Sequence, residues 1–310
     1  MRRPYSGREA LRAQEPSHGE FGRRLYDLLV RPLAAAFIGA DRIEIVADGV
    51  LEYLPFACLM DGDRYLAERA AVANRTGIHA STGPRHPMKR WGVAAFGTAN
   101  AHDSAPALPH VADELATISA MRPEARTYLD DGFTEASLRA ALRKKPQIVH
   151  IASHFHLEPA AAHRSYLLLG DGGKLSLSEF RSQEIDLSRV ELLVLSACDT
   201  ATTDYGRNGL ESLAGLAHAK GAGNVIGSLW PLADVGAAAL MKHFYRAYFH
   251  GPQAGNATHS LRSAQCALIA SSVTSVRCRT MPRGFGRVEA SRSLNHPFFW
   301  AGLSLYVAEE

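Results

Sequence analysis

Two segments of this 310-residue sequence end in side chains that can do covalent chemistry. The apolar run Ile148–Ala152 is followed by His154, and a second run, Glu191–Ala197, is followed by Cys198. A cysteine becomes a nucleophile when a nearby base takes its proton, and a histidine titrates in the range that this role requires. The same histidine can afterwards protonate a leaving amine. The pair therefore predicts attack of a thiolate on a carbonyl carbon.

The runs that carry these residues have the length and composition of buried strands. Asn224–Leu229 is a third such run, and helical patterns lie between or after the three runs. Continuously apolar strands that alternate with helices predict an α/β fold with a mainly parallel sheet covered on both faces. Because functional groups gather beyond the carboxyl ends of such strands, neighbouring strands would bring His154 and Cys198 to the same rim.

The composition excludes several other classes of protein. The net charge of +3 and the absence of a long Lys/Arg run argue against nucleic-acid binding. The four cysteines include no C-x-x-C pair, which argues against a zinc ribbon and favours a reducing, cytoplasmic setting. No apolar stretch is long enough to span a bilayer, and the N-terminus lacks the apolar core of a signal peptide.

Outside these runs, local patterns predict further elements. Apolar residues at helical spacing predict a helix over 21–37, and Pro109–Met121 is a second helix candidate. The acidic residues Asp113 and Glu114 of this second helix lie near its positive end, where negative charge is favourable. The segment Phe298–Val307 predicts a last strand.

Several ordered motifs resemble those of the CHAT peptidase family, whose relatives include separase and the caspases. Val149–His154 resembles the family's strand that ends in the catalytic histidine, and Leu193–Thr200 resembles its nucleophile strand. The resemblance covers nearly the whole chain from about Phe21 onward, and several motifs in order are specific where one alone would be weak. The other matching motifs are Leu25–Leu33, Leu54–Phe56, Leu108–Pro109, Gly221–Asp234 and His296–Gly302.

The resemblance implies a caspase-like α/β/α sandwich. After a flexible tail at 1–20, it implies a regulatory, pseudo-catalytic half at 21–145 and a catalytic half at 146–310. It also implies a cysteine peptidase that works through a dyad and a thioester acyl-enzyme, with Cys198 as nucleophile and His154 as base. Neither a metal nor another cofactor is expected.

In caspase-like enzymes the oxyanion hole uses the N–H of the nucleophile and that of the residue after the histidine, which implies Cys198 and Phe155 here. Removing one such donor typically costs about a hundredfold to a thousandfold in rate. Phe155 stands where the family usually has glycine, and glycine permits backbone angles that phenylalanine tolerates poorly. The second oxyanion donor therefore depends on the direction of the Phe155 N–H.

An acidic residue also points to a specificity pocket. Asp234 lies four residues after Trp230, where separase-like sequences place an acid that faces the basic side chain before the scissile bond. A carboxylate there predicts cleavage after Arg, and less often after Lys. Asp199 is a second candidate for the pocket. The alternative for Asp234 is that it caps the helix beginning near Val235.

Two other interpretations use the same residues. The departure at Phe155 fits a catalytically weak caspase-fold interaction scaffold. A metal-dependent hydrolase would use His154, His156 and His163 with Glu158, but no metal-ligand spacing stands out, and the cysteine at a strand end would be left unexplained.

The expected partners are a protein substrate and a separate activator chain. CHAT domains often follow helical repeat arrays that sense a signal, and these residues contain no such array. Relatives of this kind suggest a role in bacterial defence or controlled cell death. A pore-forming protein, such as a gasdermin-like protein, is then the expected substrate.

Overall fold

A mainly parallel eight-stranded sheet forms the centre of the computed structural model. The model describes residues 18–79, 92–102, 105–156, 164–182, 185–196, 215–230, 232–273 and 293–309. The strands are β1 Arg42–Ile45, β2 Met60–Asp61, β3 Arg64–Tyr65, β4 Ala71–His79, β5 Val93–Gly97, β6 Arg126–Leu129, β7 Ile148–Ala152, β8 Phe155–His156, β9 Tyr166–Leu168, β10 Lys174–Ser176, β11 Leu192–Ser196, β12 Asn224–Ser228 and β13 Leu303–Glu309.

The strand order in the central sheet is β1-β4-β13-β12-β11-β7-β5-β6. Neighbouring strands are parallel throughout, except that β12 and β13 are antiparallel. The predicted mainly parallel sheet is therefore confirmed. Strands β8 to β10 form a small antiparallel sheet, and β2 pairs with β3.

Helices cover both faces of the central sheet. The longer α-helices are α1 His18–Leu29, α2 Val111–Met121, α3 Glu135–Leu142, α4 Asp234–His250 and α5 Ala257–Ile269. The one-turn α-helices are Leu66–Arg69 and Leu177–Phe180, and residues 215–219 are also helical. The 3-10 turns are Arg31–Phe37, Gly49–Tyr53, Phe56–Cys58, Asp130–Gly132 and Pro297–Phe299.

Strand β7 shows how the layers are arranged. Ile148 and Ala152 face the core cluster formed with α2, α4 and α5. Val149 and Ile151 face the opposite cluster, which includes residues of α3 and of the one-turn helix Leu177–Phe180. All five residues of the strand are buried, as its apolar residues on both faces predict for a strand covered on both sides.

The two predicted halves of the chain contribute to one sheet. Strands from 21–145 lie at both edges, β1 and β4 at one and β5 and β6 at the other, and strands from 146–310 lie between them. Helix α1 begins at His18, within the predicted tail, and residues 1–17 of that tail lie outside the described residues. The boundary between the halves stays a prediction.

Some predicted elements differ in extent. The helix predicted over 21–37 ends at Leu29 and gives way to the 3-10 turn that contains Pro32. Proline lacks an N–H and clashes with the carbonyl four residues earlier, so a regular α-helix cannot continue through it. The strand predicted from Phe298 begins only at Leu303, because a proline-led 3-10 turn precedes it. Within the described part of the chain, no helix is long and apolar enough to cross a membrane.

Candidate active site

The backbone around His154 is held on both sides. Ser153 Oγ donates a hydrogen bond to Leu168 O at 2.6 Å and lies 3.1 Å from Oγ1 of the buried Thr98. The Leu168 N–H donates to His154 O at 3.0 Å, and the Ser153 N–H donates to Ser196 O at 3.3 Å. The imidazole is therefore carried by a strand end that its neighbours fix, as a positioned catalytic group requires.

The His154 ring makes a hydrogen bond that sets its tautomer. Nε2 lies 2.8 Å from Pro106 O. A carbonyl oxygen only accepts, so Nε2 carries the hydrogen, and in the neutral ring Nδ1 keeps its lone pair. The Pro106 carbonyl thus makes Nδ1 the basic nitrogen of His154.

Strands β7 and β11 are parallel neighbours, as predicted. Ala152 pairs with Ser196 at their carboxyl ends. His154 follows Ala152 by two residues, and Cys198 follows Ser196 by the same number. Cys198 and Asp199 lie outside the described residues, so their places in the site stay predictions.

The N–H of Phe155 is directed away from strand β9. Phe155 pairs with Leu167 in the small antiparallel sheet. The Leu168 N–H donates to His154 O, and in antiparallel strands this bond makes the Phe155–Leu167 pair the non-hydrogen-bonded kind. Its N–H is thus not used in pairing with β9, and it can serve as a hydrogen-bond donor at the strand end.

The Phe155 side chain accounts for the departure from glycine. It is buried in the core beside Leu167 and Leu175. Among the described residues, only Asp130 and Lys145 are non-glycine residues with positive φ. Phe155 therefore adopts a backbone conformation that an ordinary side chain tolerates, and its ring adds apolar burial.

Asp234 contacts a helix other than its own. Its Oδ2 accepts a hydrogen bond from the His110 N–H at 2.7 Å, and His110 is the N-cap residue of α2. The N-cap of α4 is Ala233, and Asp234 is the first residue inside that helix. The alternative that Asp234 caps α4 is therefore wrong. A backbone donor at the start of α2 is satisfied by a side chain from α4 instead.

The surroundings of Asp234 favour its protonated form. Burial raises the pKa of the Asp234 carboxyl, and the nearby Glu114 and Asp113 carboxylates add to this effect. The hydrogen bond from the His110 N–H acts in the opposite direction but does not cancel it. Among the described residues, no donor bonds to the other oxygen, Oδ1. That oxygen can accept a cationic side chain.

One short segment contacts both predicted site residues. Within Pro106–His110, the first residue accepts from the His154 ring and the last donates to Asp234. Leu108, between them, is buried in the core and holds the segment in place. Pro106 and His110 act through main-chain atoms, which side-chain patterns in a sequence do not reveal.

A second histidine, His150, lies in a buried polar network behind the site. Its Nδ1 is 3.0 Å from the Tyr245 hydroxyl, and its Nε2 is 3.1 Å from Glu114 Oε1. Burial raises the pKa of Tyr245 well above its usual range. Asp113 and Glu114 were predicted together near the positive end of α2, but Asp113 is exposed and Glu114 is buried. The spacing of Glu114 from the buried Val111 places it on the helix's apolar face, a signal present in the sequence.

The residues of the metal alternative are only partly described. The His156 ring stacks on Tyr166, with the ring centres 5.1 Å apart. Glu158 and His163 lie outside the described residues. The part of the chain that the structure describes contains no group of three potential metal-ligating side chains.

The two cysteines that the structure describes, Cys58 and Cys266, have thiols that are harder to ionise than usual. Burial raises the pKa of the Cys58 thiol to about 12 and also raises that of Cys266. In the native protein at neutral pH, we expect iodoacetamide to label Cys198 about tenfold faster or more than either of them, because the thiolate is the reactive form. Peptide mass mapping over time measures the three rates. Equal rates at Cys198 and Cys58 would show that Cys198 is not activated.

The fold and the site together define the class of this protein. It is an α/β protein in which a basic histidine follows one central strand and a cysteine follows the neighbouring parallel strand. The CHAT domain family model matches residues 19–308, and the chain therefore belongs to the CHAT domain family. The predicted membership is confirmed. No curated protein matches the sequence.

Two solved structures are similar to parts of this chain. The Arg-specific cysteine proteinase gingipain R is 7% identical, with a TM-score of 0.41, over 70% of this chain and 45% of that chain. The Saccharomyces cerevisiae separase–securin complex is 12% identical, with a TM-score of 0.43, over 83% of this chain and 15% of that chain. The chain thus spans less than half the length of either protein chain it matches.

Proposed function

We propose that this protein is a cysteine endopeptidase that cuts a protein substrate after Arg, and less often after Lys. The observation that carries the proposal is the hydrogen bond from His154 Nε2 to Pro106 O, which leaves Nδ1 as the base. This imidazole follows a strand whose parallel neighbour leads to Cys198.

In the first half of the proposed reaction, His154 Nδ1 takes the proton of the Cys198 thiol. The thiolate attacks the carbonyl carbon of the scissile bond, and the carbonyl oxygen becomes an oxyanion that the N–H groups of Cys198 and Phe155 stabilise. The C–N bond then breaks, and His154 gives its proton to the leaving amine. The product is a thioester between Cys198 and the amino-terminal part of the substrate.

In the second half, a water molecule replaces the amine. His154 Nδ1 takes a proton from the water, whose oxygen attacks the thioester carbonyl. When the C–S bond breaks, the proton returns to the thiolate, and the carboxylic acid product leaves. The Pro106 carbonyl keeps Nε2 protonated throughout, so Nδ1 performs every proton transfer.

The carboxylate of Asp234 is the proposed partner of the basic side chain, with Asp199 as a second candidate. Oδ2 of Asp234 is fixed by the His110 N–H, which orients Oδ1 for an incoming guanidinium. A hydrogen bond to a charged group contributes about 1.5–3 kcal/mol. Arginine can engage a carboxylate with two parallel N–H groups where lysine offers a point charge, which favours Arg over Lys.

Replacing Asp234 with asparagine is the direct test of this pocket. The amide oxygen can still accept from the His110 N–H, so the start of α2 keeps its contact while the charge is removed. We expect the preference for Arg over Gln before the scissile bond to fall by about 10–100-fold, the equivalent of 1.5–3 kcal/mol. Ratios of kcat/KM on two otherwise identical peptides measure it.

The matched control is Asp131→Asn, which removes an exposed carboxylate from the turn Asp130–Gly132. It should leave the Arg-to-Gln ratio within about twofold, because charges exposed to water contribute little.

The pH dependence of the Arg-to-Gln ratio adds a second readout. Since the pKa of Asp234 is raised, its negative charge is lost as the pH falls through that raised value. The Arg-to-Gln ratio should therefore drop on the acid side in the wild type and stay flat in Asp234→Asn. If Asp234→Asn leaves the Arg-to-Gln ratio unchanged, Asp234 does not bind the basic side chain, and Asp199 becomes the candidate.

A catalytically weak interaction scaffold remains the second candidate. It predicts that Cys198 does not react with a substrate-like probe, whereas a peptidase predicts that it does. An Arg-containing acyloxymethyl ketone should label Cys198 in an active peptidase, and a Cys198→Ala variant is the control. Absence of labelling, with candidate activators added, would support the scaffold.

The biological setting is also a proposal. A separate activator chain, a cytoplasmic location and a role in bacterial defence or cell death are consistent with family membership. A pore-forming, gasdermin-like protein is the proposed substrate in that setting.

A further inference from the structure

The small antiparallel sheet begins immediately after His154 and has two different faces. Phe155 pairs with Leu167, and Leu167 pairs with Leu175. All three side chains are buried in the core. Because side chains alternate along a strand, the next residues of the same strands face the other way.

The opposite face carries His156, Tyr166 and Lys174, named here the aromatic–cation row, and Lys174 reaches the Tyr166 ring diagonally from its position opposite the buried Leu168. His156 pairs with Tyr166 across the strands, and their rings stack at an angle of 28°. Lys174 Nζ lies 4.8 Å from the centre of the Tyr166 ring. Lys174 is exposed, and the two rings are partly exposed. The row is therefore an ordered surface and not part of the core.

The positive charge of the row is not neutralised by the nearby acid. Within the described residues, no carboxylate lies within ion-pair distance of Lys174 Nζ. Glu179 is close in sequence, but its Oε2 accepts from both the N–H and the hydroxyl of Ser176, each at 2.7 Å. An exposed cation–π contact contributes about 0.5–1 kcal/mol, which is enough to hold the ammonium over the ring without removing it from solvent.

The position of the row relates it to the proposed chemistry. His156 is two residues beyond His154, so the two side chains lie on the same side of an extended segment, about 7 Å apart along the strand. In the proposed mechanism His154 delivers a proton to the leaving amine. We therefore expect the strand that continues past His154 to run beside the substrate residues on the carboxyl side of the cut.

We propose that the aromatic–cation row binds an acidic side chain of the substrate, an aspartate or glutamate located within the first few residues on the carboxyl side of the scissile bond. Lys174 supplies the opposite charge, and the stacked rings of His156 and Tyr166 supply an apolar wall for the side-chain methylenes. This inference rests on the proposed peptidase function. With Asp234 it gives the substrate two charge requirements, a basic residue before the cut and an acidic one after it.

The test is a set of quenched fluorescent peptides with Arg fixed before the cut. Glu, Gln or Lys is placed at each of the following positions in turn. For the wild type we expect a Glu-over-Lys preference of about fivefold or more at one position, since opposite charges are favoured over like charges. Lys174→Glu should reverse the preference, because it replaces the positive charge of the row with a negative one. Lys144→Glu, which reverses an exposed charge after α3, is the matched control and should behave like the wild type.

The outcomes separate the row from the peptidase function. Cleavage without an acidic preference, or with one that Lys174→Glu leaves intact, would overturn the row while the peptidase proposal stands. If the wild type cleaves no peptide, the proposed function fails in that assay. Fluorescence anisotropy of the Glu peptide on the Cys198→Ala protein then tests the row directly. Equal affinity with and without Lys174→Glu would overturn it, and weaker binding to the Lys174→Glu protein would support it.

Discussion

Replacing His154 with alanine is expected to lower kcat/KM on an Arg-containing peptide by about 10²–10⁴-fold, the usual contribution of a general acid–base group. The physical reason is the Nε2 hydrogen bond to Pro106 O, which makes Nδ1 the base of the proposed site. Initial rates under identical conditions, with a Cys198→Ala protein as the fully inactive reference, measure the loss.

The combined variant sharpens this prediction. Because residues that act as one unit have non-additive effects, His154→Ala added to Cys198→Ala should cost nothing further. His250→Ala, which removes an exposed imidazole at the end of α4, is the control and should keep wild-type activity. Full activity in His154→Ala would exclude the dyad, whatever Cys198→Ala shows.

Removing the carboxylate of Glu114 should destabilise the protein by about 1–3 kcal/mol, the cost of leaving a buried polar group without its partner. Glu114 and His150 are buried and 3.1 Å apart, and Tyr245 closes the network from α4. Urea unfolding of Glu114→Ala, followed by far-ultraviolet circular dichroism, measures the change in the free energy of unfolding.

The neighbour Asp113 offers the matched control, because it lies on the same turn of α2 but is exposed. Asp113→Ala should change the free energy of unfolding by less than about 0.5 kcal/mol. A loss below about 1 kcal/mol in Glu114→Ala would mean that the network contributes little to stability. Glu114 would then act mainly on the nearby Asp234, because the charge of Glu114 raises the pKa of the Asp234 carboxyl group.

The strands that carry the candidate dyad could be predicted because burial on both faces leaves a clear signature. Ile148–Ala152 and Leu192–Ser196 are apolar apart from His150 and Ser196, and few other elements produce such runs. We predicted that the two strands are neighbours because functional groups gather at the carboxyl ends of adjacent parallel strands. The place of β13 between β4 and β12 could not be predicted, since an apolar run does not specify its neighbours.

The supporting contacts of the site were less accessible to sequence reasoning. Pro106 and His110 contribute a carbonyl and an N–H, and every residue except proline has both groups. The fit of Phe155 was missed because the family's glycine suggested a special backbone angle, whereas this chain uses an extended conformation and buries the ring. The partner of Glu114 lies on a strand more than thirty residues away, beyond the range of local periodicity.

The position of the last strand has a consequence for how the protein is made. Tyr306 of β13 pairs with Asn74 of β4, a residue more than two hundred positions earlier. Such non-local pairing forms late, because the entropy of closing a long loop is lost before the contacts compensate for it. While Leu303–Glu309 is still within the ribosome, β4 and β12 have no strand between them, and β12 is an open edge. A nascent chain should therefore complete the central sheet only after β13 has left the ribosome.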